Sequence, residues 1–540
     1  MKTTPDTLIA AYHATGAWGD KSLDGLFRDT AAAYPDRVAI VDAPDRVNWT
    51  GGAPRQMTYA EAELDIRRLA AFFAAIGLGP DHVIGIQAPN TVETVLALLG
   101  ALRAGLIVSP LPQHWRQKNV LDALNGVGAK GLIAADRIET RQVATSARDI
   151  AAELFGLRFV FGLGKDIPDG LIELGPVIAE MGDDLPDSPL ESSADRTATI
   201  CWSRSGEETV PVTRCHNHWI AAASHILGAV SLPEAPSVLV PYSLSGLTGL
   251  GAGIVPWLLT GGTLHLHHPT SLSGLTKHAN AVNADLVLTP GPLVQLMDKG
   301  LTSNTATIVA AWNIAAPEPA AFVPRHSIVD LHLADEYALV AKARGPSARI
   351  QATALGKHSG PNGCESRPTL LEIDITGTDL PETQPQLLVK GAMVGEVGWP
   401  TLPNRKKQPD ADGYLNTGIQ VQPIPGGLAG FGIPGRYAVA TGDLRVIDEI
   451  YSGFPGIREA AAFLVDEPTL GARLHAALVP AHGTVPDVRA FFAYLDAEGV
   501  DLAKMPHRVL ILQALPALEN GSPDRERLSM RAQRLPAAVA

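Results

Sequence analysis

Between residues 57 and 110 short apolar runs alternate with helical patterns, and that alternation confines the chain to layered α/β architectures. After Met57-Thr58-Tyr59 a helical pattern over residues 60–76 stops at Gly77 and Gly79-Pro80, as helices tend to. Val83-Ile-Gly-Ile86 then reads as a buried strand, an alanine- and leucine-rich helix runs through Leu102, and Ile107-Val-Ser-Pro110 reads as the next strand. Upstream, residues 23–34 form an amphipathic helical pattern ahead of the short strand Val38-Ala-Ile-Val41. The theme returns in the middle of the chain. Ser237-Val-Leu-Val240, Leu264-His-Leu-His267, Asp285-Leu-Val-Leu-Thr289 and Ser327-Ile-Val-Asp-Leu331 read as strands around an apolar stretch at 244–259. From 353 to 430 glycines, prolines and short alternating runs predict a β-rich subdomain.

At 540 residues the chain exceeds one ordinary core. The Gly/Pro-rich stretch from Pro425 to Gly435 is the expected boundary, giving a body over 1–434, with the β-rich subdomain at about 353–430, and a small domain over 435–540. A net charge of −13 disfavours a nucleic-acid surface, which needs clustered cations. The one basic run, Arg405-Lys-Lys407, reads as a solvated turn. The cysteines Cys201, Cys215 and Cys364 are few and odd in number, without CxxC spacing, so neither a disulfide framework nor a zinc site is expected. The start of the chain lacks an apolar signal core, and the run 95–110 is interrupted by Arg103 and Gly105. A buried helix followed by a strand fits that run better than a membrane span, and a cytoplasmic protein is the expectation.

The segment Ser203-Arg-Ser-Gly-Glu-Glu-Thr-Val-Pro-Val-Thr-Arg214 occupies the place of a phosphate-gripping loop without its equipment. Such loops use flexible glycines, whose N–H groups approach the anion, and a lysine that neutralises charge. Here the sole glycine is Gly206, no lysine is present, and Glu207 and Glu208 add negative charge. A carboxylate about 4 Å from a phosphate oxygen costs roughly 4 kcal/mol at an effective dielectric near 20.

In their order, these segments resemble the adenylate-forming superfamily, particularly acyl- and aryl-CoA ligases. The resemblance covers nearly the whole chain: residues 23–59, Asn90-Thr-Val-Glu93, Arg214-Cys-His-Asn-His218, Val240-Pro-Tyr-Ser-Leu-Ser-Gly246, Leu387-Leu-Val-Lys-Gly391, Asp412-Gly-Tyr-Leu-Asn-Thr-Gly418, Gly435-Arg436 and Phe454-Pro-Gly-Ile457. It implies a large N-terminal α/β body of layered sheets and helices, a β-rich subdomain and a small mobile α+β C-terminal domain. The segment after the loop looks like the branch acting on medium-chain or alicyclic acids. Family members join a carboxylate to the α-phosphate of ATP, release pyrophosphate and pass the acyl group to CoA. ATP and magnesium are thus the implied cofactors, with CoA and a small carboxylic acid or acyl-CoA as ligands. A homo-oligomer or an active family partner would be the protein associate.

Carried over position by position, Ser205 and Gly206 match the start of the family's phosphate loop, while its lysine falls on Val210 or Val212. The family's tyrosine–glycine–any–threonine–glutamate motif falls on His332-Leu-Ala-Asp-Glu336, so Glu336 is the implied catalytic and magnesium-holding carboxylate. A glycine pair at the adenine shelf falls on Ile314-Ala315. Thr417 is kept, and the ribose-binding aspartate becomes Ile419. Arg436 matches the ribose-binding arginine, the hinge residue falls near Val439, and the loop after it is shortened to Thr441-Gly442. The C-terminal catalytic lysine falls on Ser522; serine cannot stabilise the charge that develops during adenylation.

Three functional expectations follow. The first is a family member that binds an acyl-, CoA- or nucleotide-type ligand without conventional adenylation. The second is a working ligase in which Arg204 or Arg214 replaces the loop lysine, since arginine also grips phosphate. The third is an ATP-independent acyl-CoA hydrolase, lyase or transferase using Cys215 with His216, or another histidine. His216 and His218 have a spacing that would suit a metal on a strand, though a structural role is favoured. His265, His267 and His268 read as structural, and Trp219 and Tyr242 as lining for a core or an acyl pocket.

Overall fold

The computed structural model describes residues 1–182, 193–205, 208–303, 305–313, 322–345, 349–359, 368–377, 384–432, 444–467, 471–500, 502–518 and 521–534. The chain divides into two compact units, Met1–Gln113 with Leu121–Gly432, and His114–Val120 with Ile433–Ala540.

Among the described residues the first unit contains two eight-stranded sheets, a four-stranded one and the two-stranded Pro423–Ile424 and Gly427–Leu428 pair. In the first large sheet the strands Thr307–Trp312, Leu286–Pro290, Ser237–Val240, Thr263–Leu266 and Val38–Val41 run parallel between Ser327–Ala334 and the antiparallel edge strand Gln56–Thr58. The other edge is Ala338–Ala343, antiparallel to Ser327–Ala334, and the turn between these two strands carries Asp335, Glu336 and Tyr337. In the second large sheet a parallel core (Ile107–Pro110, Val83–Gln87, Gly131–Ala135, Phe159–Leu163) is extended by the antiparallel hairpin of Thr197–Ser205 and Glu208–Cys215. The four-stranded sheet, Gly356–Ser359, Thr369–Ile375, Gln386–Lys390 and Leu415–Gln420, is antiparallel throughout.

Local chemistry explains the long elements. Thr58 and Glu61 close a reciprocal capping box at the start of the helix Tyr59–Ala75, an arrangement in which the cap residue alone is worth about 1 kcal/mol. The helix Val92–Arg103 is buried at every position but Glu93 and leads into the strand Ile107–Pro110. Its one cation, Arg103, is neutralised by Asp24 at 3.2 Å and Glu63 at 2.7 Å. The apolar stretch after residue 244 becomes a π-helical segment, Leu247–Ile254, continued by the helix Val255–Thr260.

The second unit is built on the sheet Ile457–Glu467, Gly471–Pro480 and Arg508–Ile511. On one face Ala460, Ala462, Leu474 and Leu478 pack with Ile447, Tyr451, Phe491 and Leu495 of the helices Leu444–Ser452 and Val488–Ala497. On the other, Phe463, Ala477 and Leu510 meet Leu528 and Ala532 of the helix Arg525–Gln533. Among the described residues no helix is long and apolar enough to cross a membrane.

Candidate functional site

The segment expected at the place of a phosphate loop belongs to a paired hairpin. Its register runs Cys201↔Val212, Ser203↔Val210, Arg204↔Thr209 and Ser205↔Glu208. Both positions that align with the family's lysine therefore lie inside a strand, with Val210 4% and Val212 0% exposed. The β-branched valines suit that pleated interior. Ser205 is thereby a ladder residue, and Gly206 lies outside the described residues. Arg405, from the basic run, donates to the Thr209 carbonyl at 3.2 Å and fastens the hairpin from the side.

Next to the hairpin stands the 335–337 turn. Asp335 adopts the left-handed region with φ +48°, where an aspartate is tolerated better than most residues. The Ser203 hydroxyl donates to its carboxylate at 2.5 Å. Glu336 turns inward. Its two oxygens accept the Leu247 N–H at 3.2 and 3.1 Å, at the first turn of the π-helical segment. A Cβ on Gly246 would come within 2.0 Å of the same carboxylate, so only glycine permits this approach. Arg214, fully buried, places its guanidinium 3.6 Å from the Glu336 carboxylate, donates to the Glu336 carbonyl and lies over the Trp219 ring. Burial pushes the Glu336 carboxyl up to about 7 and neighbouring Asp335 adds to the rise, against the pull of Arg214 and the Leu247 N–H.

The third side comes from the chain around 405–419. Lys407 was expected in a solvated turn; instead it is half-buried, and its ammonium donates to the Thr417 carbonyl at 2.7 Å and lies 5.0 Å from the centre of the Tyr337 ring. Burial lowers its pKa, while Asp335 opposes that. The Thr417 hydroxyl donates to the Leu387 carbonyl at 2.9 Å and accepts the Ile419 N–H at 3.1 Å, so it ties the turn together. Ile419, at the position where the resemblance implies an aspartate, has an apolar side chain. His332 is buried on the strand leading to the turn, edge-on to Phe431, with both ring nitrogens unpartnered among the described residues.

The structure thus gathers Ser203, Arg214, Asp335, Glu336, Tyr337, Lys407 and Thr417 into one region. Arg436, Val439, Thr441-Gly442 and Ile314-Ala315 lie outside the described residues. Ser522 belongs to the second unit, where its carbonyl accepts the Leu518 N–H at 2.9 Å in a turn.

Two sequence expectations need correction. Cys215 does not face His216. The His216 ring accepts the Leu23 N–H at 3.1 Å, whereas the Cys215 sulfur lies 3.1 Å from Nδ1 of His218. Burial pushes that thiol up to about 12, which suppresses the thiolate a nucleophile needs. Nor are His216 and His218 on a strand: both belong to the helix His216–Leu227 and are buried in its first turn. Trp219 is a core residue, its ring N–H donating to Thr199 at 2.9 Å. Tyr242 is half-buried, and its backbone carbonyl accepts from Asn90 at 2.8 Å. His267 and His268 are buried and structurally engaged. His267 lies 3.1 Å from His278, and His268 stacks on Trp49 at 4.5 Å between ring centres.

Comparison with known proteins agrees with this architecture. Residues 27–304 match the family model described as AMP-binding enzyme, and the chain belongs to that family. It is 28% identical to a salicyl-AMP ligase/salicyl-S-ArCP synthetase of Mycobacterium tuberculosis over 45% of this chain and 43% of that protein. It is 24% identical to a 2-hydroxy-7-methoxy-5-methyl-1-naphthoate–CoA ligase of Streptomyces carzinostaticus over 98% and 97% of the two chains. The first of these is thus matched over less than half its length, the second nearly end to end. Among solved structures, the amide bond synthetase McbA of Marinactinospora thermotolerans superposes with a TM-score of 0.70 at 18% identity, covering 95% of this chain and 99% of that one. Mycobacterium smegmatis MbtA gives 0.63 at 20% identity, covering 98% of each. The fold is that of the adenylate-forming enzymes.

Proposed function

We propose that this chain is an acyl- or aryl-CoA-ligase-like protein that binds a carboxylic acid or acyl-CoA-type ligand and does not carry out ATP-dependent adenylation. The observation that carries the reading is the pairing of the 203–210 hairpin through Ser205↔Glu208, with Val210 and Val212 buried at both lysine positions. In a strand so paired every second backbone N–H is engaged in the ladder, which leaves no run of consecutive free N–H groups to cradle an anion, and valine contributes no charge. Magnesium fits poorly too, because a divalent cation drawn to Glu336 would meet the Arg214 guanidinium, 3.6 Å from the same carboxylate. The replacements at Ile419 and Ser522 point the same way. A relocated loop cation at Arg214 is disfavoured because that side chain is fully buried against Glu336 and Trp219. Cys215 chemistry is disfavoured by the burial of the thiol. Two buried free thiols, Cys201 and Cys215, suit a cytoplasmic setting.

The test is pyrophosphate exchange with a panel of carboxylic acids, including the aryl acids that the similar ligases are named for. No exchange above background is expected, with a thermal shift from an acid or an acyl-CoA but not from ATP. Robust exchange that is lost in Glu336→Ala would sink the reading.

A further inference from the structure

Independently of that reading, we propose that Arg473 and Arg508, with His475 and His507, form an oxyanion site in the second unit that takes a phosphate group, free or as a phosphate monoester. The register of the three-stranded sheet brings these residues together. Side chains alternate between the two faces of a strand, so His475 and Arg508 share the face of Ala477 and Leu510, each two residues further on. His475 is paired with Phe463 on one side and with Arg508 on the other. Arg473 lies two residues before His475, on the same face, and His507 precedes Arg508 at the start of its strand.

Positive charge converges there without its balance. The Arg473 guanidinium lies against the His507 ring, with Nη1 3.3 and 3.2 Å from its two nitrogens. The carboxylate facing it, Glu467, stands 3.9 Å from Nη2, beyond hydrogen-bonding distance. Arg508 is half-buried and has neither an ion pair nor a side-chain hydrogen bond among the described residues. His475 is 6% exposed, and its Nδ1 has no partner. Burial, then His507, Arg508 and Arg473, push that ring down to about 4. Two guanidinium groups against one carboxylate leave positive charge in excess. A tetrahedral oxyanion answers these deficits, because arginine forks grip phosphate oxygens through charged N–H donors. Phosphate, unlike a carboxylate, has oxygens enough to engage two guanidinium groups on different strands. A bound anion also favours protonation of the two imidazoles beside it.

Isothermal titration of the full chain tests this with inorganic phosphate and with phenyl phosphate as the monoester, ionic strength being held constant with chloride. At least one probe should bind saturably, and the tighter of the two tells free phosphate from a monoester. Arg473→Gln and Arg508→Gln should each weaken that binding by about tenfold, as the loss of a charged hydrogen bond does. Both arginines are partly exposed, so neither substitution should unfold the chain. Arg489→Gln, which removes an exposed arginine from the helix Val488–Ala497, should leave binding unchanged. Ring NMR signals of labelled histidines give a second readout. Phosphate should raise the titration midpoints of His475 and His507, and Arg508→Gln should abolish that rise. The proposal is overturned if neither probe binds, if chloride alone moves the histidine midpoints as far as phosphate does, or if the two folded variants bind as tightly as the wild type.

Discussion

Arg214 and Glu336, 122 residues apart in the chain, form an ion pair in which the guanidinium engages both the carboxylate, at 3.6 Å, and the backbone carbonyl of the same glutamate. The pair joins the 197–215 hairpin of one large sheet to the turn that ends the Ser327–Ala334 strand of the other. It therefore sets both the geometry and the charge of the region around the 335–337 turn.

Removing Arg214 should be costly. Breaking a buried pair by deleting one partner typically costs about 3–5 kcal/mol, because the remaining charge is stranded. Glu336, already raised to about 7, can escape by taking up a proton. Arg214→Met should therefore destabilise by roughly 3 kcal/mol at pH 8 and by less at pH 6. Urea unfolding at the two pH values checks this, and equal losses at both would refute the protonation escape.

Placing a lysine at position 212 should not create a phosphate loop. Val212 is 0% exposed and paired on both sides, to Cys201 and to Val397. Val212→Lys buries an ammonium without a partner, and a loss of several kcal/mol is expected. The predicted outcome is a lowered midpoint of thermal unfolding without gain of pyrophosphate exchange. A stable, exchanging Val212→Lys protein would contradict the hairpin as described.

Buried histidines should make the fold acid-sensitive. His216, His225, His265, His267, His332 and His475 are lowered to about 4 and His218 to about 3, each mainly by desolvation. A base whose folded pKa lies below its unfolded value of about 6.5 loses stability as pH falls from 6.5 toward 4. Glu336 acts in the opposite sense. Its folded value, near 7, exceeds the unfolded one, so its contribution is present below about 4.5 and lost as pH rises to 7. Glu396, also raised to about 7 by burial, acts in the same sense, so the seven histidines are set against two such carboxyls and still predict net loss on acidification, at up to about 1.4 kcal/mol per pH unit for each proton. Urea midpoints between pH 7.5 and 4.5 measure it, and a flat profile would contradict the burial of the rings. Replacing His267, which lies 3.1 Å from His278, by Gln should reduce the slope.

The sequence by itself determined the layered α/β class, most strand and helix positions and the residue types at Val210, Val212 and Ser522. These follow from periodicity and residue identity, which act over a few residues of chain. The capping residues Thr58 and Glu61 and the strands at 83–87 and 107–110 are legible for that reason. Only the tertiary structure decided which side chains gather around the 335–337 turn. The Arg405-Lys-Lys407 run carries no local sign that Lys407 turns inward onto Tyr337 and the Thr417 carbonyl, because that placement depends on the loop's return to the four-stranded sheet. Adjacency suggested Cys215 with His216, whereas the first turn of a helix brings residue i+3 back to the cap and so pairs Cys215 with His218. The Arg214–Glu336 pair exists because the end of the Glu208–Cys215 strand of one sheet meets the turn after Ser327–Ala334 of the other, and no short-range pattern encodes a contact across 122 residues.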